Sequence, residues 1–183
     1  MISPYQGKFK VTQIYKGIAH KGIDLVGLDT KNITSTVIGV VEAVRKDTHY
    51  TGGMGLYVRI REFTTGYRHY FAHLRFAYVK EGQLVRVGDL IGVEGNSGHS
   101  YGNHLHYEIR KTTNNMSFLN VSKLTGIPNR LGEYNMEMTF DEALEVLIKK
   151  GVISSPDYWV MCSKTTLYVK ELIINMAKAL GGK

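Results

Sequence analysis

Only one cysteine, Cys162, occurs in the 183 residues. That excludes an intramolecular disulfide and any metal site built from several thiolates. Its neighbours Trp159 and Met161 are apolar, so Cys162 reads as a buried structural thiol rather than a nucleophile. No apolar run approaches the ~20 residues that cross a bilayer, so membrane insertion is not expected. The opening Met1-Ile2-Ser3-Pro4-Tyr5-Gln6 lacks the basic and apolar regions of a secretory signal. The expectation is a chain that stays in the cytoplasm of its producer until something else releases it. Acidic side chains are the minority, 16 against 23 Lys and Arg, for a formal net charge of +7. The basic residues are scattered, with no arginine-rich run and no recognisable nucleic-acid module, so nucleic acid is not expected as a partner. The charge reads instead as long-range attraction to an anionic polymer.

What is present falls into two textures. Roughly the first 110 residues read as β structure. The runs Val37–Val44, Leu56–Ile60, Arg68–Ala72 and Leu105–Ile109 are short, rich in β-branched and aromatic residues, and bounded by glycines. Gly52-Gly53 and Gly66 mark turns, and most of the 20 glycines fall in this region. Glu81 to Gly92 reads as a glycine-rich hairpin. From Thr139 the pattern becomes helical. Phe140, Ala143, Leu144, Leu147 and Ile148 recur at helical spacing, Thr139 with Glu142 forms a capping box, and Gly151 supplies a C-terminal stop. Ser155-Pro156-Asp157 opens a second helix, and Leu172, Ile173, Met176 and Leu180 stripe a third. The predicted organisation is a mainly β domain over residues 1–130, a linker over 131–138 and a small helical domain over 139–183. A helical tail of about 45 residues is near the lower limit for folding alone, so its apolar stripes are expected to pack together, with Leu144, Leu147, Trp159, Ile173 and Met176 at the centre.

The chemistry lies in four pieces of the β region: His20-Lys21-Gly22-Ile23-Asp24, Phe71-Ala72-His73-Leu74, the loop His99-Ser100-Tyr101, and Asn103-His104-Leu105-His106-Tyr107-Glu108. On a strand, His104 and His106 point to one face roughly 6.5–7 Å apart, while Leu105, Tyr107 and Ile109 face a core. His20 and Asp24 add an imidazole and a carboxylate. With His106 they make a set of two histidines and one carboxylate, which leaves a fourth position open and belongs to catalytic rather than structural zinc. His73, also on a strand, is then available to move a proton or steady a developing oxyanion. A lone His-x-His pair is more often incidental than a ligand pair; the signal is all four pieces in one order and one domain.

These residues resemble the M23 family of metallopeptidases, the lysostaphin and LytM type. The resemblance spans roughly residues 7 to 130 and rests on Ala19–Leu25, Tyr70–Leu74, the Val79 to Gly92 hairpin, and Gly95-Asn96-Ser97-Gly98 leading into Gly102–Glu108. It implies a two-layer, mostly antiparallel sheet with a groove whose floor carries one zinc ion. Carried over, His20, Asp24 and His106 are the metal ligands, and His73 and His104 the pair that activates water. The implied activity is a zinc-dependent endopeptidase that hydrolyses the peptide cross-links of bacterial peptidoglycan. Without a signal and with a helical tail, the chain resembles a phage or prophage endolysin, with a virion-associated lysin as a close variant. The alternative is a non-enzymatic M23-like module that binds or activates another wall hydrolase; such modules have lost metal ligands, and here all five positions are filled. Tyr107 stands where phenylalanine is usual, and Arg61-Glu62 where a histidine is often seen. The Asp47 to Gly55 loop and the His99 loop are expected to frame the groove. His49, His69 and His99 read as solvated or packing residues, although alternation would place His69 on the strand face of His73. The tail is expected either to bind the wall or to form a homodimer through its helices.

Overall fold

Short runs of β-branched and aromatic residues, each too brief for a helix, fold here as strands, some paired with their sequence neighbours and others with strands far along the chain. The computed structural model describes residues 3–47, 53–135, 144, 147–154, 159 and 169–180. In order these form β1 (Lys8–Gln13), β2 (Ile23–Gly27), β3 (Asn32–Thr34), β4 (Gly39–Asp47), β5 (Gly55–Glu62), β6 (Arg68–Leu74), β7 (Phe76–Ala77), β8 (Leu84–Val85), β9 (Leu90–Val93), β10 (Leu105–Arg110), β11 (Phe118–Leu119), α1 (Val121–Thr125), β12 (Gly132–Asn135) and α2 (Val169–Ala179). The large sheet runs β12-β1-β2-β10-β6-β5-β4-β8, with β11 on β10, and a second sheet runs β3-β9-β7. Every pairing among the described residues is antiparallel. No described helix is long and apolar enough to cross a membrane.

Strand alternation sorts the side chains of the large sheet. Ile23 and Leu25 of β2, Val58 and Ile60 of β5, Phe71 of β6, and Leu105, Tyr107 and Ile109 of β10 are all buried, and Ile33 and Ile91 of the second sheet are buried as well. Each such side chain removed from water stabilises the fold by about 1.5–3 kcal/mol. The opposite face of the same strands carries Asp24, His106, Glu108 and Arg110. The core face therefore fixes where the polar face points, because a slip of one residue would exchange them.

Three expectations are corrected. The Glu81–Gly92 segment is not a hairpin of two paired strands: β8 pairs with β4 and β9 with β3 and β7, so the turn at Arg86–Asp89 passes between sheets. Its strands are too short to hold each other and take partners from elsewhere. The linker drawn over 131–138 begins inside the sheet, since β12 pairs with β1 from Lys8↔Asn135 to Val11↔Gly132. As an edge strand with Glu133 and Asn135 exposed, it carries almost no apolar signal. Finally, His69 and His73 do not share a face, for a reason that belongs to the site below.

The chain divides between residues 135 and 136 into two units. In the second, Leu144, Leu147, Ile153, Ile173 and Ala177 form a buried cluster, with Trp159, Ile174 and Met176 packed against it. Leu172 and Leu180, expected in the stripe, are 52% and 42% exposed. On α2 the inward positions are 173 and 177, one turn apart, and Leu172 falls on their flank. Gly151 has φ 69 and donates its N–H to the Ile148 carbonyl, ending the turn as its sequence position foretold. The capping box at Thr139 and Glu142, the Ser155-Pro156-Asp157 start, His49 and Cys162 lie outside the described residues.

Candidate metal centre

β2 and β10 are neighbours, and Asp24 is the direct cross-strand partner of His106. Their side chains therefore meet on the polar face, with Asp24 Oδ1 2.8 Å from His106 Nδ1. His20, in the turn before β2, brings Nε2 to 3.1 Å from the same oxygen and 3.2 Å from His106 Nδ1. The three ligand atoms lie within 4.8 Å of one another. Gly22 makes this approach possible: a Cβ there would sit 2.6 Å from the Tyr107 carbonyl oxygen and 2.7 Å from His106 Nε2.

The outer nitrogens decide which way the lone pairs point. His20 donates Nδ1–H to the Ile14 carbonyl at 2.8 Å, leaving Nε2 as an acceptor. His106 donates Nε2–H to Glu108 Oε2 at 3.4 Å, leaving Nδ1 as an acceptor. Glu108 is held in turn by Arg110, whose Nε donates at 2.7 Å. Such partners fix the tautomer and orientation of a metal-binding imidazole. Two nitrogen lone pairs and a carboxylate thus converge at distances where acceptors repel unless a cation or proton lies between them. The titration behaviour agrees. Burial alone would lower the basicity of His106, but hydrogen bonds to Asp24 and Glu108 outweigh it and raise its pKa to about 9. Burial likewise works against the Asp24 charge, and hydrogen bonds from His106 and His20 hold it well below the usual carboxylate range. The donor set fits a small divalent cation.

His73 and His104 stand beside this triad. His104 precedes β10, and its Nδ1–H donates to the Gly102 carbonyl at 2.8 Å, leaving Nε2 3.7 Å from Asp24 Oδ2. His73 donates Nδ1–H to the Ser97 carbonyl at 2.8 Å, and its ring centroid is 4.8 Å from that of His104 and 5.8 Å from that of His106. Regular alternation along β6 would put His73 on the core face with Phe71. Instead the register slips between the Leu56↔Leu74 and Val58↔Phe71 pairs, giving β6 an extra residue there, and His73 adopts φ 62. This β-bulge turns its imidazole to the His106 face. Burial then pushes the His73 pKa down to about 4. The Ser97 carbonyl reaches His73 because Gly98, at φ 73, packs where a Cβ would lie 2.3 Å from Gly55 N.

His69 stays on the core face, where its Nδ1 is 2.7 Å from the Tyr107 hydroxyl, itself 2.8 Å from Thr36 Oγ1. That answers the tyrosine in place of phenylalanine: the buried hydroxyl joins a histidine to a threonine. The site thus brings His20, Asp24, His73, His104 and His106 together and leaves His69 outside. Glu108 carries no role in the sequence motif, yet two residues after His106 on one strand it shares that face. The surrounding cleft, about 840 Å³, is lined at its rims by Ile18, Met54, His99 and Tyr101, with Tyr101 93% exposed.

A comparison with known proteins decides the lineage: the sequence profile of peptidase family M23 matches residues 18–118. The chain belongs to peptidase family M23. An uncharacterised metalloprotease of Haemophilus influenzae is 38% identical over 89 residues, 49% of this chain and 18% of that protein. The peptidoglycan DD-endopeptidase ShyC of Vibrio cholerae is 35% identical over 113 residues, 59% of this chain and 25% of that protein. The L-Ala--D-Glu endopeptidase of Bacillus subtilis is 38% identical over 101 residues, 50% of this chain and 29% of that protein. The match thus spans under a third of each relative's length. Among solved structures, the catalytic domain of the prophage-encoded M23 protein EnpA from Enterococcus faecalis superposes with a TM-score of 0.53 at 26% identity, covering 66% of this chain and 91% of that one. The lysostaphin catalytic domain of Staphylococcus simulans shares the fold, with a TM-score of 0.51 at 22% identity over 66% of this chain and 91% of that one. The mainly antiparallel fold and the M23 lineage expected from the motifs are what these comparisons return.

Proposed function

We propose that this M23 peptidase is a zinc-dependent endopeptidase that hydrolyses peptide cross-links of bacterial peptidoglycan. The observation that carries it is the convergence of His20 Nε2, Asp24 Oδ1 and His106 Nδ1, with the second ring nitrogen of each histidine engaged elsewhere. Two imidazoles and one carboxylate are the ligand set of catalytic zinc with an open position. Bound there, the ion supplies Lewis acidity and brings the pKa of a water toward neutrality. The chain's own residues do the rest. His104 and His73, with Nδ1–H anchored on the Gly102 and Ser97 carbonyls, present Nε2 lone pairs to the cleft. From there one accepts the proton of the attacking water and passes it to the leaving amine, while the other, once protonated, steadies the negative oxygen. Glu108, clamped by Arg110, keeps His106 aimed at the ion.

The wall as substrate is supported by the endopeptidase relatives and by the +7 charge, which favours an anionic polymer. Resemblance to a prophage-encoded M23 domain supports the role of a phage or prophage endolysin. The helical unit then serves wall binding or homodimerisation. The test is digestion of purified walls from several bacterial types with zinc-loaded protein, followed by mass spectrometry of the released peptides. New amine termini that vanish on chelation are expected; intact cross-links throughout would refute the reading.

A further inference from the structure

The polar face of the large sheet does not end at the metal site. Across the strands, Glu108 of β10 pairs with Tyr70 of β6, and Tyr70 with Arg59 of β5; one step further Arg110 pairs with Arg68, and Arg68 with Arg61. These side chains share the face of His106. Arg59, Arg61 and Arg68 all crowd one carboxylate, Glu42: Arg61 Nε at 3.0 Å from Oε1, and Arg59 Nε at 3.2 Å and Arg68 Nε at 3.3 Å from Oε2. Three guanidinium groups against one carboxylate leave two positive charges uncompensated. Glu42 cannot serve them all. Arg59 Nε, though close, is buried without a hydrogen-bond partner. Arg68 is fully engaged, since its Nη1 donates to the Gly66 and Lys111 carbonyls. The terminal nitrogens of Arg59 and Arg61 have no hydrogen-bond partner among the described residues, and the Arg61 side chain is 41% exposed. The neighbouring Glu108 is not available to them, being paired with Arg110, which lies 4.3 Å from the Tyr70 ring that Arg59 approaches at 5.7 Å from the other strand.

We propose that Arg59 and Arg61 form an anion subsite that takes a free carboxylate of the peptide substrate. The inference rests on the peptidase reading above. A guanidinium is a planar fork that matches a carboxylate in a bidentate pair, and here two are held in place by a shared counter-ion and an aromatic ring. The level of Arg59 is two residues along the strands from His106, roughly 7 Å, and two strands across, roughly 10 Å. Together these place it about 12 Å from the metal ligand, or roughly three to four residues of extended chain. A peptide lying along the sheet floor can therefore occupy both positions.

The test uses the full zinc-loaded chain and two cross-linked wall peptides, identical except that the carboxylates are free in one and amidated in the other. Binding is measured by calorimetry and turnover by chromatography. The free-carboxylate peptide is expected to bind roughly 10-fold tighter, the scale of a charge-assisted pair at a partly exposed guanidinium. Arg61→Gln and Arg59→Gln should each erode that ratio, and the pair should abolish it; Arg61, being more exposed, carries the test if the Arg59 variant does not fold. Equal binding of the two peptides while both are cut overturns the subsite and leaves the peptidase reading standing. A carboxylate preference lost in the variants, with neither peptide cut, upholds the subsite and removes the peptidase reading. Preference for a short polyphosphate, displaced from the wild type but not from the Arg61 variant, with no discrimination between the peptides, assigns the cluster to phosphate and also overturns it.

Discussion

Replacing Glu108 with glutamine separates the charge behind His106 from its shape. Glu108 is buried, accepts from His106 Nε2 at 3.4 Å, and takes two bonds from Arg110, at 2.7 Å from Nε and 3.2 Å from Nη2. Glutamine keeps an acceptor and nearly the same volume but loses the negative charge. Two effects follow, on different observables. His106 loses one of the two anions that hold its basicity up, so zinc affinity should fall about 10- to 100-fold, the usual consequence of losing such a supporting partner. The Arg110 side chain, 9% exposed, becomes an unpaired buried cation, and stability should drop by about 3 kcal/mol, the lower end for a broken buried pair because the amide oxygen still accepts. Adding Arg110→Met should recover most of the stability and none of the metal affinity. A competition titration against a chromophoric chelator reads the first effect and urea unfolding of the apo-protein the second. Unchanged zinc affinity in Glu108→Gln would refute the idea that this carboxylate supports the metal ligand.

Other consequences are open to direct measurement. His73 sits at a positive φ that costs a non-glycine residue about 1 kcal/mol, so His73→Gly should be more stable than His73→Ala by about that amount, while both lose ~10²–10⁴-fold in turnover; equal unfolding midpoints would argue against the bulge. Tyr107→Phe restores the residue usual in the family but strips His69 of its partner, at about 1–3 kcal/mol, and the added His69→Leu change should recover much of it; strictly additive losses in a double-mutant cycle would contradict the pairing. Burial lowers the His69 pKa from 6.5 to about 4, so the unfolded chain binds the extra proton between those values and stability rises with pH across that window. The penalty for charging the buried ring is absent above pH 6.5 and grows as pH falls toward 4, so His69→Gln should flatten urea midpoints over that range. Truncation after Asn135 should preserve zinc binding while weakening sedimentation with walls or halving the mass seen by light scattering; if neither changes, the helical unit has neither role.

Much of the site was legible because strand alternation is a short-range rule. His104, His106 and Glu108 lie at alternate positions of one run, and Leu105, Tyr107 and Ile109 announce the core side, so the polar face could be read without a partner strand. Family motifs then joined His20 and Asp24 to them. His73 reached the site by a route no alternation predicts. Nothing in Phe71-Ala72-His73-Leu74 marks a left-handed residue, since no glycine stands there, and the bonds made at the bulge go to the backbone carbonyls of Met54 and Ser97. The same alternation tied His69 to the face of His73, and the bulge separates them, leaving His69 as a packing residue on the core face. The carbonyls of Ile14, Ser97 and Gly102 that fix the tautomers carry no side-chain identity, so sequence is silent about them. β12 and the β8–β9 turn were misread for a related reason. Strands of two to four residues at an edge depend on their neighbours for existence, and their own apolar pattern is too short to declare them.

The central claim is that His20, Asp24 and His106 hold one zinc ion while His73 and His104 serve the chemistry. Elemental analysis of purified wild type and of His106→Ala, His104→Ala and His73→Ala, each paired with wall digestion, tests it most directly. The account predicts one zinc per chain in the wild type and in the His104 and His73 variants, both of these with turnover depressed by ~10²–10⁴-fold, and no retained zinc in His106→Ala. Stoichiometric zinc in His106→Ala, or normal digestion by both the His73 and His104 variants, would contradict it.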